Sequence, residues 1–173
     1  MRGAPFRVVP LDDAHDRSAF NSGSTPLDAY FRERVTQDIR RNVTACFVAL
    51  SAEGRIAGYY TLASASVFLS DLPTEVARKL PRYPSVPAVR MGRLAVDLAF
   101  RGQGLGAALL ADGLTRVIRS EIAAYALVVD AKDENAAAFY RRHNFLETTA
   151  DPPILFLPLS TAGRLLKDKV KPG

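Results

Sequence analysis

Apolar residues recur at every fourth position through Leu27, Phe31, Val35 and Ile39, with Tyr30 alongside, a spacing that predicts one face of a helix. Thr25-Pro26 just ahead offers an N-cap and a proline for the first helical position. The period then changes. Cys46–Leu50 and Ile56–Leu62 are short apolar runs on either side of Ala52-Glu53-Gly54-Arg55, which reads as a hairpin turn. Asp71–Pro87 is punctuated by proline and leaves room for one short helix near Thr74–Leu80. A strand over Ala88–Val96 leads into a glycine-rich turn at Arg101–Gly106. Leu105, Leu109, Leu110, Leu114, Val117 and Ile118 then mark an amphipathic helix. Ala124–Asp130 is apolar enough for a strand covered on both faces. Asp133-Glu134-Asn135 opens a further helix, with acids at its dipole-favoured end, that runs to about His143. Phe145–Thr149 and Ile154–Leu159 finish the pattern as two strands around Asp151-Pro152-Pro153. Strands alternating with helices predict an α/β or α+β fold with a mixed sheet.

At 173 residues the chain fits one domain, residues 1–173, and its 48% hydrophobic and 24% charged residues exclude a disordered tail, a fibre or a repeat array. Its 23 basic residues against 18 acidic give a net charge of +5, which favours a polyanionic partner. Cys46 is the single cysteine, so neither a disulfide framework nor a thiolate zinc cluster is expected. His15 and His143 lack metal-ligand spacing, and no metal is expected. No stretch reads as a signal peptide or a bilayer span, so the expected setting is the cytoplasm, away from membranes.

The segment richest in chemistry is Arg101-Gly102-Gln103-Gly104-Leu105-Gly106. A glycine-rich turn feeding a helix exposes backbone N–H groups at the positive end of the helix dipole, which suits phosphate. A Walker A loop would need Lys-Ser/Thr after its last glycine, whereas Ala107-Ala108 follow here. A dinucleotide fingerprint is formally met by Gly102, Gly104 and Ala107. It should follow a strand directly, early in a doubly wound unit, yet four residues separate Val96 from Arg101 and too little chain remains. A plain tight turn accounts for one glycine but not for three at alternate positions.

Arg101-x-x-Gly104-x-Gly106, followed by a helix, a buried strand and a helix carrying Asn135 and Tyr140, resembles the GCN5-related N-acetyltransferase (GNAT) family. The resemblance implies a mixed sheet of about six or seven strands with splayed middle strands, flanked by about four helices. It implies acetyl-CoA as co-substrate: Leu94, Ala95 and Val96 would bond the pantetheine arm through their backbone. Amides around Gln103, Gly104, Leu105 and Gly106 would hold the pyrophosphate, with Arg101 and Gly102 shaping the loop and Asn135 touching pantetheine. Tyr140 would be the general acid, because a neutral phenol with a pKa near 10 can protonate a departing thiolate with a pKa near 8.5. Ala136 and Ala137 share its helix face and leave room beside it. A base for the acceptor amine is not identified: Asp97, Glu121, Asp130, Glu134 and Glu147 lie near this chemistry only in sequence.

Ala77–Val96 carries Arg78, Lys79, Arg82, Arg90 and Arg93 with no acidic residue, and Tyr83 and three prolines are interleaved with them. The tail adds Arg164, Lys167, Lys169 and Lys171 against Asp168. Both stretches suit an RNA backbone as well as plain solvation. Phe20-Asn21-Ser22-Gly23, Leu27-Asp28-Ala29-Tyr30, Leu80–Pro84, Gly92–Asp97 and Val129-Asp130-Ala131-Lys132 look like the GNAT toxins of type II toxin–antitoxin systems. That resemblance implies acetylation of the α-amino group of aminoacyl-tRNA, with Arg78, Lys79, Arg82, Arg90 and Arg93 as tRNA contacts. It also implies a ribbon-helix-helix antitoxin, DNA binding only through the antitoxin complex, and a homodimer. The alternatives are a GNAT enzyme that acetylates a small-molecule or protein amine, and a catalytically silent GNAT fold used for partner binding.

Overall fold

A computed structural model describes residues 6–170, the last three by backbone alone. Lys171 and the side chains of Asp168 and Lys169, all in the basic tail, lie outside the described residues. In chain order the elements are β1 (Arg7–Pro10), α1 (Thr25–Glu33), α2 (Val35–Arg40), β2 (Ala45–Leu50), β3 (Ile56–Phe68), α3 (Thr74–Ala77), β4 (Ser85–Met91) and β5 (Leu94–Val96). There follow α4 (Leu105–Arg119), β6 (Ala126–Val129), α5 (Glu134–Arg142), β7 (Leu146–Glu147), β8 (Leu155–Pro158) and α6 (Leu159–Val170). Single 3-10 turns occupy Leu69–Asp71 and Leu98–Phe100. The chain forms two compact units, Met1–Ala63 with Gly92–Gly113, and Ser64–Met91 with Leu114–Gly173.

In the first unit β1, β2 and the first half of β3 form an antiparallel ladder, and β5 pairs antiparallel with β3 through Gly58↔Val96, Tyr59↔Ala95 and Tyr60↔Leu94. Phe31 stacks on Tyr59 with ring centroids 4.1 Å apart, Phe20 meets both rings edge-on, and the Tyr59 hydroxyl donates to the Leu27 carbonyl at 2.8 Å. The expected helix over Leu27–Ile39 is two helices, broken at Arg34 (φ −121°, ψ −29°). Residues four apart advance about 400° around a helix, so such a stripe drifts about 40° per step. The break lets Val35 turn back to the core that holds Phe31. Gly58 meets a real steric demand, since a Cβ there would lie 2.8 Å from Leu109 Cδ1 on α4 and 2.9 Å from the Ala95 carbonyl oxygen.

In the second unit β4 pairs parallel with β6, and β6, β8 and β7 continue antiparallel; the outer half of β3 neighbours β4. All four residues of β6 are buried, as a doubly covered strand requires. Val67, Leu72, Val86, Ala88, Ala126, Val128 and Phe156 form one core cluster of this unit. The single strand expected over Ala88–Val96 is two, β4 and β5, because Gly92-Arg93 interrupts it. The Arg93 N–H donates to Thr61 Oγ1 at 3.1 Å, and its carbonyl accepts the Thr61 N–H at 3.1 Å. α5 starts where expected, with the Asp133 carboxylate accepting the Ala136 N–H at 2.8 Å. β7 is shorter than the expected Phe145–Thr149 strand. The α/β class and mixed sheet hold, with eight strands and six helices among the described residues. The added elements are the divided strand, the divided helix, β1 and α6.

Candidate functional site

The glycine loop enters α4 with its donors free. Gly102 (φ +80°) and Gly104 (φ +75°) adopt the left-handed backbone that glycine tolerates best, and a Cβ on either would meet nothing within 4 Å. From Gly102 to Ala107 no backbone N–H finds an acceptor among the described residues; the next amide, Ala108, already donates to the Gly104 carbonyl at 3.1 Å. The last three of these amides belong to the first turn of α4, where a helix leaves its donors unmet. Gly102, Gln103 and Gly104 are exposed. A concave run of amides at the positive end of a 15-residue helix is chemically a polyanion cradle, and its glycines keep it open. These residues therefore fit the pyrophosphate of a coenzyme A thioester.

β5 supplies a second row of unused backbone groups. Arg93, Ala95 and Asp97 face β3, as the bonds from Thr61 N–H to Arg93 and from Asp97 N–H to Ala57 mark out. Alternation then turns the N–H and C=O of Leu94 and Val96 to the far edge, where no strand pairs with β5 among the described residues. Such an edge accepts an extended amide-bearing chain as an added strand.

Asp97 holds the loop in place and was not legible as doing so. It is 2% exposed; its Oδ1 accepts the Ala99 N–H at 2.9 Å and its Oδ2 the Asn21 N–H at 3.0 Å, with Arg55 3.5 Å away. Arg55 also lies 5.2 Å over the Phe100 ring. The Leu98 N–H donates to the Asn21 carbonyl at 2.9 Å, and the Arg101 guanidinium donates to the Ser22 carbonyl at 2.7 Å. Ser22 is in turn fixed by buried Asp28, which accepts both its N–H and its hydroxyl. Asn21-Ser22-Gly23 is thus a brace beneath the loop, and Arg101 spends its side chain on that brace.

Tyr140 lies on α5 in the second unit, 6% exposed, with Phe139 and Phe145 ring centroids each at 5.2 Å. Its hydroxyl has no hydrogen-bond partner among the described residues, and burial pushes its pKa well above the ordinary tyrosine value. The phenol therefore stays protonated and neutral at any physiological pH. Of the two expected small neighbours, Ala137 is buried and Ala136 half-buried. Asn135 is exposed in the first turn of α5. Burial pushes the Cys46 thiol up to about 12, which makes it a poor nucleophile.

The remaining candidates separate. Arg78, Lys79 and Arg82 are exposed in the second unit, while Arg90 is bonded to Asp130. Arg93, in the first unit, lies 3.4 Å over the Tyr30 ring. The carboxylates that sequence left unassigned have structural work: Asp97 anchors the loop, Asp130 binds Arg90, and Glu134 and Glu147 both bind Arg141. Glu121 is exposed. No helix among the described residues is long and apolar enough to cross a membrane.

The sequence pattern of the Acetyltransferase (GNAT) family matches residues 10–145. A Mycobacterium tuberculosis (strain ATCC 25618 / H37Rv) protein named tRNA-acetylating toxin is 37% identical over 167 residues, covering 95% of this chain and 97% of its own. Among solved structures, a tyrosine-to-phenylalanine mutant of KacT superposes with a TM-score of 0.87 at 28% identity, over 94% of this chain and 99% of its own. AtaT complexed with acetyl-methionyl-tRNAfMet gives 0.85 at 27% identity, over 93% and 99%. AtaTR bound with AcCoA gives 0.81 at 27% identity, over 94% and 98%.

Proposed function

Because the chain belongs to the GNAT family of acetyltransferases, we propose that it moves an acetyl group from acetyl-CoA to the α-amino group of aminoacyl-tRNA and so blocks translation as a toxin. The observation that carries the acceptor is the 37% identity, over 95% of this chain, to a tRNA-acetylating toxin. In this reading the amides of Gln103–Gly106 bind the pyrophosphate, Arg101 and Gly102 shape the loop, and the edge groups of Leu94 and Val96 bond the pantetheine amides. Ala95 keeps that edge in register by its pairing with Tyr59. Asn135 contacts pantetheine. Both units act as one acetyltransferase domain over residues 1–173, an assignment supported by a family match that runs through each of them.

The attacking amine must be neutral. An α-amino group, with a pKa near 7.7–8.0, needs far less help than a lysine near 10.4, and an adjacent ester lowers it further. That suits a site with no carboxylate assigned as base. The amine nitrogen bonds the acetyl carbon and gives up its extra proton to solvent. As the tetrahedral adduct collapses, the C–S bond breaks, the Tyr140 O–H supplies the proton to the leaving sulfur, and the phenolate is reprotonated from solvent. Burial raises the phenol's pKa and so keeps its proton in place until the thiolate departs. Arg78, Lys79 and Arg82 serve the tRNA backbone, and Arg90 and Arg93 serve it from their ion-paired and ring-stacked positions. A toxin of this kind requires a cognate antitoxin for its host to grow. We assign that role to a ribbon-helix-helix protein, through which the complex would bind DNA, and place a homodimer of this chain in the cytoplasm where charged tRNA is found.

The test is incubation with labelled acetyl-CoA and a charged total-tRNA pool, beside Tyr140→Phe. Label is expected on the aminoacyl end, reduced about 100-fold or more in the variant, the scale of a lost general acid. Acetyl-CoA binding without tRNA labelling would move the acceptor to a small or protein amine.

A further inference from the structure

The second unit carries an exposed aromatic pair that neither its core nor the transfer reaction uses. Along the outer half of β3, Ala65 and Val67 pack into the core, whereas Ser64, Ser66 and Phe68 turn to the opposite face and are exposed. On neighbouring β4, Val86 and Ala88 join that same core, and Pro87 between them is exposed on the other side. The corner of this face formed by Ser64, Ser66, Phe68 and Pro87 therefore bears small side chains and one large ring, Phe68, which is 59% exposed. Tyr83, 65% exposed, sits nearby, because the Leu69 N–H donates to the Pro84 carbonyl at 3.1 Å and ties the chain beside Phe68 to the chain beside Tyr83.

Three cations lie within five residues of Tyr83 along the chain. Arg78, Lys79 and Arg82 are exposed, have no ion pair among the described residues, and lie at the start of a stretch, Ala77–Val96, without an acidic residue. Two other arginines of this unit are ion-paired, Arg90 with Asp130 and Arg141 with Glu134 and Glu147, so what sets these three cations apart is their closeness in sequence to Tyr83 in a stretch without an acid. Solvated rings beside unneutralised cations, on a face with little bulk, match what a single-stranded nucleic acid needs: stacking surfaces and phosphate contacts. A second copy fits poorly, since a two-fold contact centred here would set the same cations against each other.

We propose that Phe68 and Tyr83 form a stacking platform for unpaired bases of RNA, with Arg78, Lys79 and Arg82 on the flanking phosphates. The inference deepens the tRNA reading and rests on it for the identity of the RNA. It adds that the recognised part is unpaired, because a duplex buries the faces on which the rings would stack.

Fluorescence anisotropy with a single-stranded RNA of about eight nucleotides, and with a blunt RNA duplex, tests this on the full chain. Phe68→Ala with Tyr83→Ala is expected to weaken single-strand binding at least about tenfold, at unchanged salt dependence and with duplex binding unaltered. Phe68→Tyr with Tyr83→Phe is expected to retain it. Lys79→Glu is expected to lower the salt slope by about one. Acetyl-CoA binding, unchanged in every variant, reports an intact fold. Equal binding by the double-alanine protein, or equal loss on strand and duplex, overturns the platform. So does conversion of a dimer to a monomer by the double substitution, which would make this face a contact between copies. If the intact protein stacks single strands through these rings but does not acetylate aminoacyl-tRNA, the platform stands and the proposed function falls.

Discussion

Asp97 illustrates what a single buried carboxylate contributes to the glycine loop. Its two oxygens meet two backbone donors, Ala99 and Asn21, and asparagine can accept on only one of its two terminal atoms. Asp97→Asn therefore sets an NH2 against an N–H and leaves a buried donor unmet, at about 1–3 kcal/mol. Because Asp97 acts through the loop and touches no reacting atom, steady-state kinetics should give a KM for acetyl-CoA raised several-fold, with kcat and its pH profile nearly unchanged. A fall in kcat at constant KM would move Asp97 into the chemistry itself. Tyr140 was legible in the sequence because a motif surrounds it. Asp97 was not, since its partners Asn21 and Arg55 lie far away along the chain and nothing local distinguishes a braced carboxylate from a solvated one.

Elements with a strong period were readable, and the misreadings have physical causes. The stripe Leu27–Ile39 announced helix but concealed the break at Arg34, which only the tertiary pull on Val35 decides. β1 offers just Val8 and Val9 between Arg7 and Pro10, too short for a periodic signal. α6 did carry one, with Leu159, Ala162, Leu165 and Leu166 at helical spacing, but its lysines and Arg164 drew it into the reading of a charged tail. The seam of α4 on β3 depends on a residue with no side chain. Gly58→Ala would force its Cβ against the Ala95 carbonyl oxygen, a backbone atom that cannot swing aside, as well as against Leu109 Cδ1. Overpacking of this kind costs about 1–3 kcal/mol. Thermal unfolding should register it as a Tm several degrees lower. An unchanged Tm would mean that β5 yields freely, and with it the edge assigned to pantetheine.

For the molecule as a whole, the excess of positive charge favours a polyanionic partner, and the backbone cradle and open strand edge are the parts we assign to acetyl-CoA. The loop and the α5 tyrosine were visible as motifs from residue order alone. The exposed rings of Phe68 and Tyr83 were not, because exposure is settled by the sheet face a residue lands on. The run of unmet amides from Gly102 to Ala107 has a further bearing, on how long the protein survives. A ligand that binds only the folded chain adds RT ln(1 + [L]/Kd), about 2.7 kcal/mol at a hundredfold excess over Kd. Saturating acetyl-CoA should therefore raise the Tm and slow digestion by a nonspecific protease, whereas coenzyme-free protein is cut faster. If digestion proceeds at one rate with and without acetyl-CoA, the cradle contributes nothing to persistence. Otherwise the metabolite this chain consumes also sets its turnover, and a cell short of acetyl-CoA would clear the enzyme sooner.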